Sequence, residues 1–143
     1  MPSSARTTLA TWLCLAVLLG ADANARAEAS PNEAADKAAR EWLSLIDRGA
    51  YERSWQQAST LFKNRVSDSA WQRQVEHARH DLGVPHEREL ISATRTHRLT
   101  GVPDGDYTVL VYASRFDDAP RVVETVTLVR DEHIPKAAGY FIR

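Results

Sequence analysis

The 143-residue chain contains 18 basic and 19 acidic residues and a single cysteine, and its formal net charge is −1 at pH 7. A near-neutral chain gives no reason to expect nucleic acid or an anionic membrane surface as its partner. The cysteine, Cys14, lies within the leader described next, so the remaining chain can use neither disulfides, nor thiol catalysis, nor cysteine-ligated metal.

The first 25 residues are typical of a secretory signal peptide. Arg6 precedes a mostly apolar run over Leu9–Ala21, and Ala23–Ala25 has small residues at the spacing of a cleavage site. This run is shorter than the roughly 20 residues that span a bilayer. We therefore expect cleavage after Ala25 and export of residues 26–143 to the periplasm or the extracellular space. The exported part should form one domain, with its core over residues 31–143 and no membrane span.

Three amphipathic helices are predicted after the leader. The Ser-Pro-Asn-Glu run at residues 30–33 combines a cap, a first-turn proline and a capping box, and Gly49 ends the first helix. The second helix is expected over Tyr51–Phe62 and the third from Ser67 to Leu82. Large aromatic residues recur at helical spacing, so we expect them to pack in the core: Trp42, Tyr51, Trp55, Phe62 and Trp71.

Beyond Glu89 the sequence is typical of strands rather than helices. Four strands are predicted, over Leu90–Leu99, Tyr107–Phe116, Val122–Arg130 and Ala138–Arg143. The last should begin only after Pro135, because proline lacks the N–H that a strand ladder needs. The connections are too short for parallel crossovers, so the strands should form an antiparallel meander. Helices followed by strands predict an α+β domain with three helices on one sheet face.

Several segments are characteristic as an ordered set: Trp42–Tyr51, Arg88–Leu90, Gly101–Tyr107, Glu124–Leu128 and Gly139–Arg143. Together they resemble the domain-of-unknown-function 4019 family of small exported bacterial proteins. The resemblance implies a cone-shaped α+β fold similar to nuclear transport factor 2 and the cystatin-like domains. It implies neither catalytic residues nor a cofactor, because the family has no established activity.

The densest group of potential metal ligands is formed by His77, His80 and His86. His77 and His80 are three residues apart and share a helix face, and imidazole suits zinc or copper. However, they lie nearly opposite the apolar stripe of the third helix, where solvated polar residues belong. A surface metal-binding protein is therefore the less favoured interpretation, and no metal or cofactor is assigned.

A second group of polar residues is predicted on an apolar sheet face. If Leu99 pairs with Tyr107 and Arg115 with Val122, one face carries Arg95, His97, Tyr107 and Glu124. The favoured interpretation is an ion pair between Arg95 and Glu124 that bridges the sheet. The alternative is a pocket in which Glu124 or His97 acts as a general base. A slip of one residue in register would move these side chains to the other face.

Two functions remain open at this point. We favour a non-catalytic module that binds an unidentified protein or small ligand, because the sequence specifies no nucleophile and no acid–base pair. The alternative is a small enzyme that uses the cone cavity. Both faces of Tyr107–Phe116 are apolar, yet three short helices cover only one. Tyr112, Phe116 and Phe141 are therefore expected on an outer face through which two copies pair.

Overall fold

The computed structural model describes residues 29–143, so the predicted signal peptide and its cleavage site lie outside the described residues. In this range the strands form one antiparallel sheet in the order β1-β2-β3-β4, which confirms the predicted α+β meander. The helices are α1 (Pro31–Asp47), α2 (Tyr51–Gln57), α3 (Thr60–Arg65) and α4 (Asp68–Arg79). The strands are β1 (Pro85–Thr96), β2 (Tyr107–Phe116), β3 (Val122–Asp131) and β4 (Ile134–Ile142).

The helix boundaries follow local capping signals. Ser30 and Glu33 form the predicted capping box, and α1 is followed by Gly49 at φ +74°. The second predicted helix is divided into α2 and α3, because Ala58 is extended at ψ 165°. Ser59 then caps α3 by accepting a hydrogen bond from the N–H of Phe62. Within residues 29–143, four helices therefore replace the three predicted after the leader, since an internal serine starts a new helix.

Aromatic residues from the helices form the centre of the core, as predicted. Trp42, Phe62 and Trp71 are buried, and Tyr51 and Trp55 pack against them. The ring centroids of Trp42 and Trp71 lie 5.6 Å apart in a stacked arrangement, and Phe62 meets Trp71 edge-on at 5.1 Å. The core therefore lies between the helices and the inner face of the sheet.

The register between the strands differs from the prediction. Ser114, not Arg115, pairs with Val122, and Thr96, not Leu99, pairs with Tyr107. The sequence pattern does not determine this register, because β2 is apolar on both faces and either face can meet the core. Leu110, Tyr112, Ser114 and Phe116 of β2 therefore lie on the same face as Glu124.

This register corrects the predicted outer face. Tyr112 and Phe116 are 0% and 1% exposed and lie in the core, so the prediction that placed them outside was wrong. Phe141 is 70% exposed and pairs with Thr125 on the outer face, as expected.

Strand β4 begins at Ile134 and includes Pro135, which lies opposite Arg130. The prediction that this strand starts after the proline was therefore wrong. An edge strand has a neighbour on one side only, so a proline whose nitrogen faces away from that neighbour removes no ladder bond. The tight turn before it holds Glu132 and His133 at φ 51° and 69°.

None of the helices within residues 29–143 combines the length and the apolar character needed to cross a bilayer.

Candidate functional site

Four charged residues from four elements meet at one end of the core. They are Asp47 at the end of α1, Arg79 at the end of α4, Arg88 in β1 and Glu124 in β3, and we call them the ionic quartet. The side chain of Glu124 is 0% exposed. Two arginines and two carboxylates give the quartet no net charge.

Both carboxylate oxygens of Glu124 are occupied by hydrogen-bond donors. Oε1 accepts hydrogen bonds from Arg79 Nη2 at 2.9 Å and from the Tyr140 hydroxyl at 2.7 Å. Oε2 accepts hydrogen bonds from Arg88 Nε at 2.5 Å and from the Ser114 hydroxyl at 2.6 Å. A carboxylate has about four lone-pair positions, so Glu124 has no acceptor capacity left for a substrate proton.

Asp47 completes the quartet by binding both arginines. It accepts hydrogen bonds from Arg79 Nη1 at 2.5 Å and from Arg88 Nη1 and Nη2 at 2.9 and 3.0 Å. Within residues 29–143, every buried side-chain nitrogen and oxygen has a hydrogen-bond partner. The quartet therefore meets the condition under which buried charges are tolerated, namely that each is paired and hydrogen-bonded.

The pairing holds both carboxylates in their charged form. Burial alone would raise the pKa of Glu124, but hydrogen bonds from Arg88, Ser114 and Tyr140 and the charge of Arg88 outweigh it, and the pKa lies below its ordinary value. The same balance lowers the pKa of Asp47. A general base works best with a pKa near the ambient pH. Glu124 is therefore poorly suited to that role.

The structure separates Glu124 from the other three residues predicted to share its site. Arg95, His97 and Tyr107 line a cleft of about 460 Å³ beside the first turn of α1, which we call the α1 cleft. Leu128 lines the same cleft and lies four residues from Glu124 along β3, a distance of roughly 13 Å. The predicted ion pair between Arg95 and Glu124 is wrong, because Arg79 and Arg88 occupy that carboxylate.

The residues of the α1 cleft differ in what they can contact. Arg95 is exposed, and His97 is exposed with its Nδ1 2.8 Å from Asp106 Oδ1. Tyr107 is buried, and its hydroxyl donates a hydrogen bond to the carbonyl of Pro103 at 2.7 Å. Arg95 therefore differs from His97 and Tyr107. Its charged side chain is exposed at the cleft and forms no ion pair within residues 29–143.

The three histidines considered as metal ligands do not converge. All are exposed; His80 Nδ1 lies 2.6 Å from Asp81, and His86 contacts Asp117 instead. Across residues 29–143, no three His, Cys, Asp or Glu side chains come close enough together to hold a metal ion.

The sequence interpretation overlooked Arg79, Arg88 and Asp47. Arg79 follows Trp71 and Val75 at four-residue steps, so it lies on the apolar stripe of α4. The neighbouring Ala78, the apolar residue that the helical pattern favours for that stripe, is exposed instead. A charged residue at a core position of an amphipathic helix was the available signal, because such a charge requires a buried partner.

Comparison with known proteins gives the family of the chain. A search of the curated proteins finds no match. Residues 38–140 match the family described as Protein of unknown function (DUF4019), a range that contains the whole ionic quartet and most of the α1 cleft. The chain therefore belongs to the DUF4019 family.

Proposed function

We propose that the chain is an exported domain of the periplasm or cell envelope that acts by binding a ligand or partner rather than by catalysis. The observation that carries the proposal is the saturation of Glu124, the carboxylate predicted as a general base, by Arg79, Arg88, Ser114 and Tyr140. A buried carboxylate held in this way has a structural role, because removing it would leave the charges of two arginines uncompensated. The α1 cleft and the outer sheet face remain as surfaces for recognition.

Export is tested by fractionating cells that express the full chain and identifying the first residue by mass spectrometry. Because small residues at Ala23–Ala25 supply a cleavage site, the expected species begins at residue 26 and is found in the periplasm or medium. A cytoplasmic species that retains the leader would contradict the proposal.

Binding without catalysis is tested with a thermal-shift screen of small metabolites on the exported chain. We expect ligands that raise Tm and are recovered chemically unchanged after prolonged incubation, since bound ligand stabilises the folded state by mass action. Conversion of a ligand contradicts the proposal. Loss of that conversion in His97→Gln or Glu124→Gln, with folding verified by circular dichroism, would support the enzyme alternative.

The outer sheet face is the surface that we propose for a second copy of the chain. Its central positions are uncharged, so two copies would meet there without repulsion between like charges; they include Val109, Val111, Val123, Thr125 and Thr127. A groove of about 440 Å³ on β3 and β4 is lined by Val123, Thr125, Phe141 and Ile142, with Arg143 as the charged residue of its described lining. In a two-fold arrangement, Phe141 of each copy would fill the groove beside Phe141 of the other.

Light scattering over a range of protein concentrations tests this dimer. The wild-type chain should form dimers, and Phe141→Ser should shift the population to monomers. Ile134→Ser is the matched control, because Ile134 is 56% exposed but lines a groove on the helical side of the sheet with Trp42. A wild-type monomer at every concentration, or equal effects of the two variants, would contradict the arrangement.

A further inference from the structure

Apolar side chains form part of the lining of the α1 cleft. Pro31, Ala34 and Pro135 are exposed there, whereas Ala35 and Leu128 are 4% and 1% exposed and lie beneath the accessible surface. None of these side chains carries a polar atom, so the part of an occupant that contacts this lining must be apolar. The volume of about 460 Å³ falls within the range typical of small-molecule sites.

The rim of the cleft carries more positive than negative charge. Arg95 and Arg130 line it, and among the described lining residues Asp106 is the one carboxylate. Asp106 is already engaged, since His97 Nδ1 lies 2.8 Å and Arg130 Nε 3.9 Å from its carboxylate oxygens. Arg95 forms no ion pair with any carboxylate of residues 29–143. An anionic ligand would supply the partner that Arg95 lacks there.

We infer that the α1 cleft binds a small organic acid, with its carboxylate on Arg95 and a short hydrocarbon chain against Pro31, Ala34 and Pro135. A guanidinium presents paired N–H donors that match the two oxygens of a carboxylate, which favours this head group. The inference rests on the proposed function and assigns its unidentified ligand to a chemical class.

Nuclear magnetic resonance titration of the exported chain with hexanoate tests this site. Amide signals of Ala35, Thr108 and Leu128 should shift and saturate, with a Kd at or below about 1 mM, as expected for a ligand of this size. Hexan-1-ol lacks the carboxylate and acetate lacks the chain, so neither should saturate these signals in that range. Saturation by hexanol at the same concentration, or shifts confined to the outer sheet face, would overturn the inference.

Variants of Arg95 identify the group that holds the carboxylate. Arg95→Gln should weaken hexanoate binding at least about tenfold, because it removes a charge-assisted hydrogen bond. Arg95→Lys keeps the charge and should bind more tightly than Arg95→Gln. Arg98→Gln is the matched control, because Arg98 is exposed, pairs with Asp104 and does not line the cleft. Equal affinity of Arg95→Gln and the wild-type chain would refute the assignment. Arg95 is itself exposed, so these variants should fold normally.

Failure of this site can be told apart from failure of the proposed function. If hexanoate binds but its own spectrum shows chemical conversion, the non-catalytic function fails while the site stands. If hexanoate gives no saturable shifts while other ligands raise Tm unchanged, the inference fails and the proposed function stands.

Discussion

Glu124 is completely buried, and both of its carboxylate oxygens accept hydrogen bonds. These two properties determine how strongly its substitution would affect stability. Taking a carboxylate out of water is costly, and the two arginines offset that cost. The arginines are in turn mostly buried, so the positive charge of each is compensated by Glu124 and Asp47. At this scale the quartet is one unit, and changing one member leaves an opposite charge uncompensated.

Glu124→Gln should therefore lower the free energy of unfolding by about 3–5 kcal/mol, measured by urea denaturation. Glu89→Gln, at an exposed position in β1, is the matched control and should change it by less than about 0.5 kcal/mol. Equal stabilities of Glu124→Gln and the wild-type chain would show that the quartet is not a coupled unit.

A second substitution in the quartet should partly compensate the first. Glu124→Gln leaves the cluster with one excess positive charge, and adding Arg88→Met removes that charge while keeping similar volume. We expect the double variant to be more stable than the sum of the two single changes predicts, by about 1–3 kcal/mol. Additive effects in the same denaturation experiment would contradict direct coupling of Arg88 to Glu124.

At the scale of elements, Ser54 joins three helices. Its hydroxyl accepts a hydrogen bond from Trp71 Nε1 at 2.8 Å, and its carbonyl accepts one from Trp42 Nε1 at 2.8 Å. Ser54→Ala should cost about 1–3 kcal/mol, because the indole N–H of Trp71 is left buried without an acceptor. The exposed Ser44 hydroxyl bonds only to Glu41 in α1 and to Arg48 at its C-cap, so Ser44→Ala should cost much less. Chemical denaturation measures the stability of both variants. A larger loss in Ser54→Ala would show that its hydrogen bonds between helices matter, whereas equal losses would point to a general effect of removing a hydroxyl group.

The residues in the turn between β3 and β4 are not those that best suit its backbone conformation. Glu132 and His133 both have positive φ, which costs roughly 1 kcal/mol or more for residues other than glycine. Asn-Gly is preferred in such two-residue turns. The double substitution Glu132→Asn and His133→Gly should raise the free energy of unfolding by about 1 kcal/mol, measured by thermal or urea denaturation. A loss of stability would mean that the present side chains support the turn.

The elements also show how far prediction from sequence extends. The bounds of β2 were predicted correctly, because Tyr107–Phe116 is dense in β-branched and aromatic residues between two turn signals. Because both faces of β2 are apolar, the sequence does not determine its register. It therefore also does not show that Tyr112 and Phe116 are buried. The alternation of Glu124 with apolar residues in β3 indicated a charge that needs a partner, but the assumed strand pairing gave it the wrong one, Arg95. The actual partners of Glu124 were missed because they come from helix and strand ends that only the tertiary fold brings together.

Across the whole molecule, the quartet links stability to pH. The pKa values of Asp47 and Glu124 in the folded protein lie below their ordinary values. A carboxyl group with a depressed folded pKa stabilises the protein above its unfolded pKa, and this contribution is lost as the pH falls through the folded pKa.

Stability should therefore change little through these groups from about pH 7 to 5.5 and decline below about pH 4. Urea denaturation at each pH provides the measurement. In Glu124→Gln the acid decline should be shallower, since one of the two groups no longer titrates. An unaltered slope in that variant would assign the acid sensitivity to other carboxylates.

The ionic quartet also affects how the chain reaches its native state. Its four members are spread from residue 47 to residue 124, and they come from α1, α4, β1 and β3. In the unfolded chain water solvates each charge, and in the finished fold each has its partners. A collapsed globule with some of these elements docked would enclose ions without counterions. The free energy of such partly folded states is raised. This favours cooperative, two-state folding and lowers the population of the intermediates from which proteins aggregate.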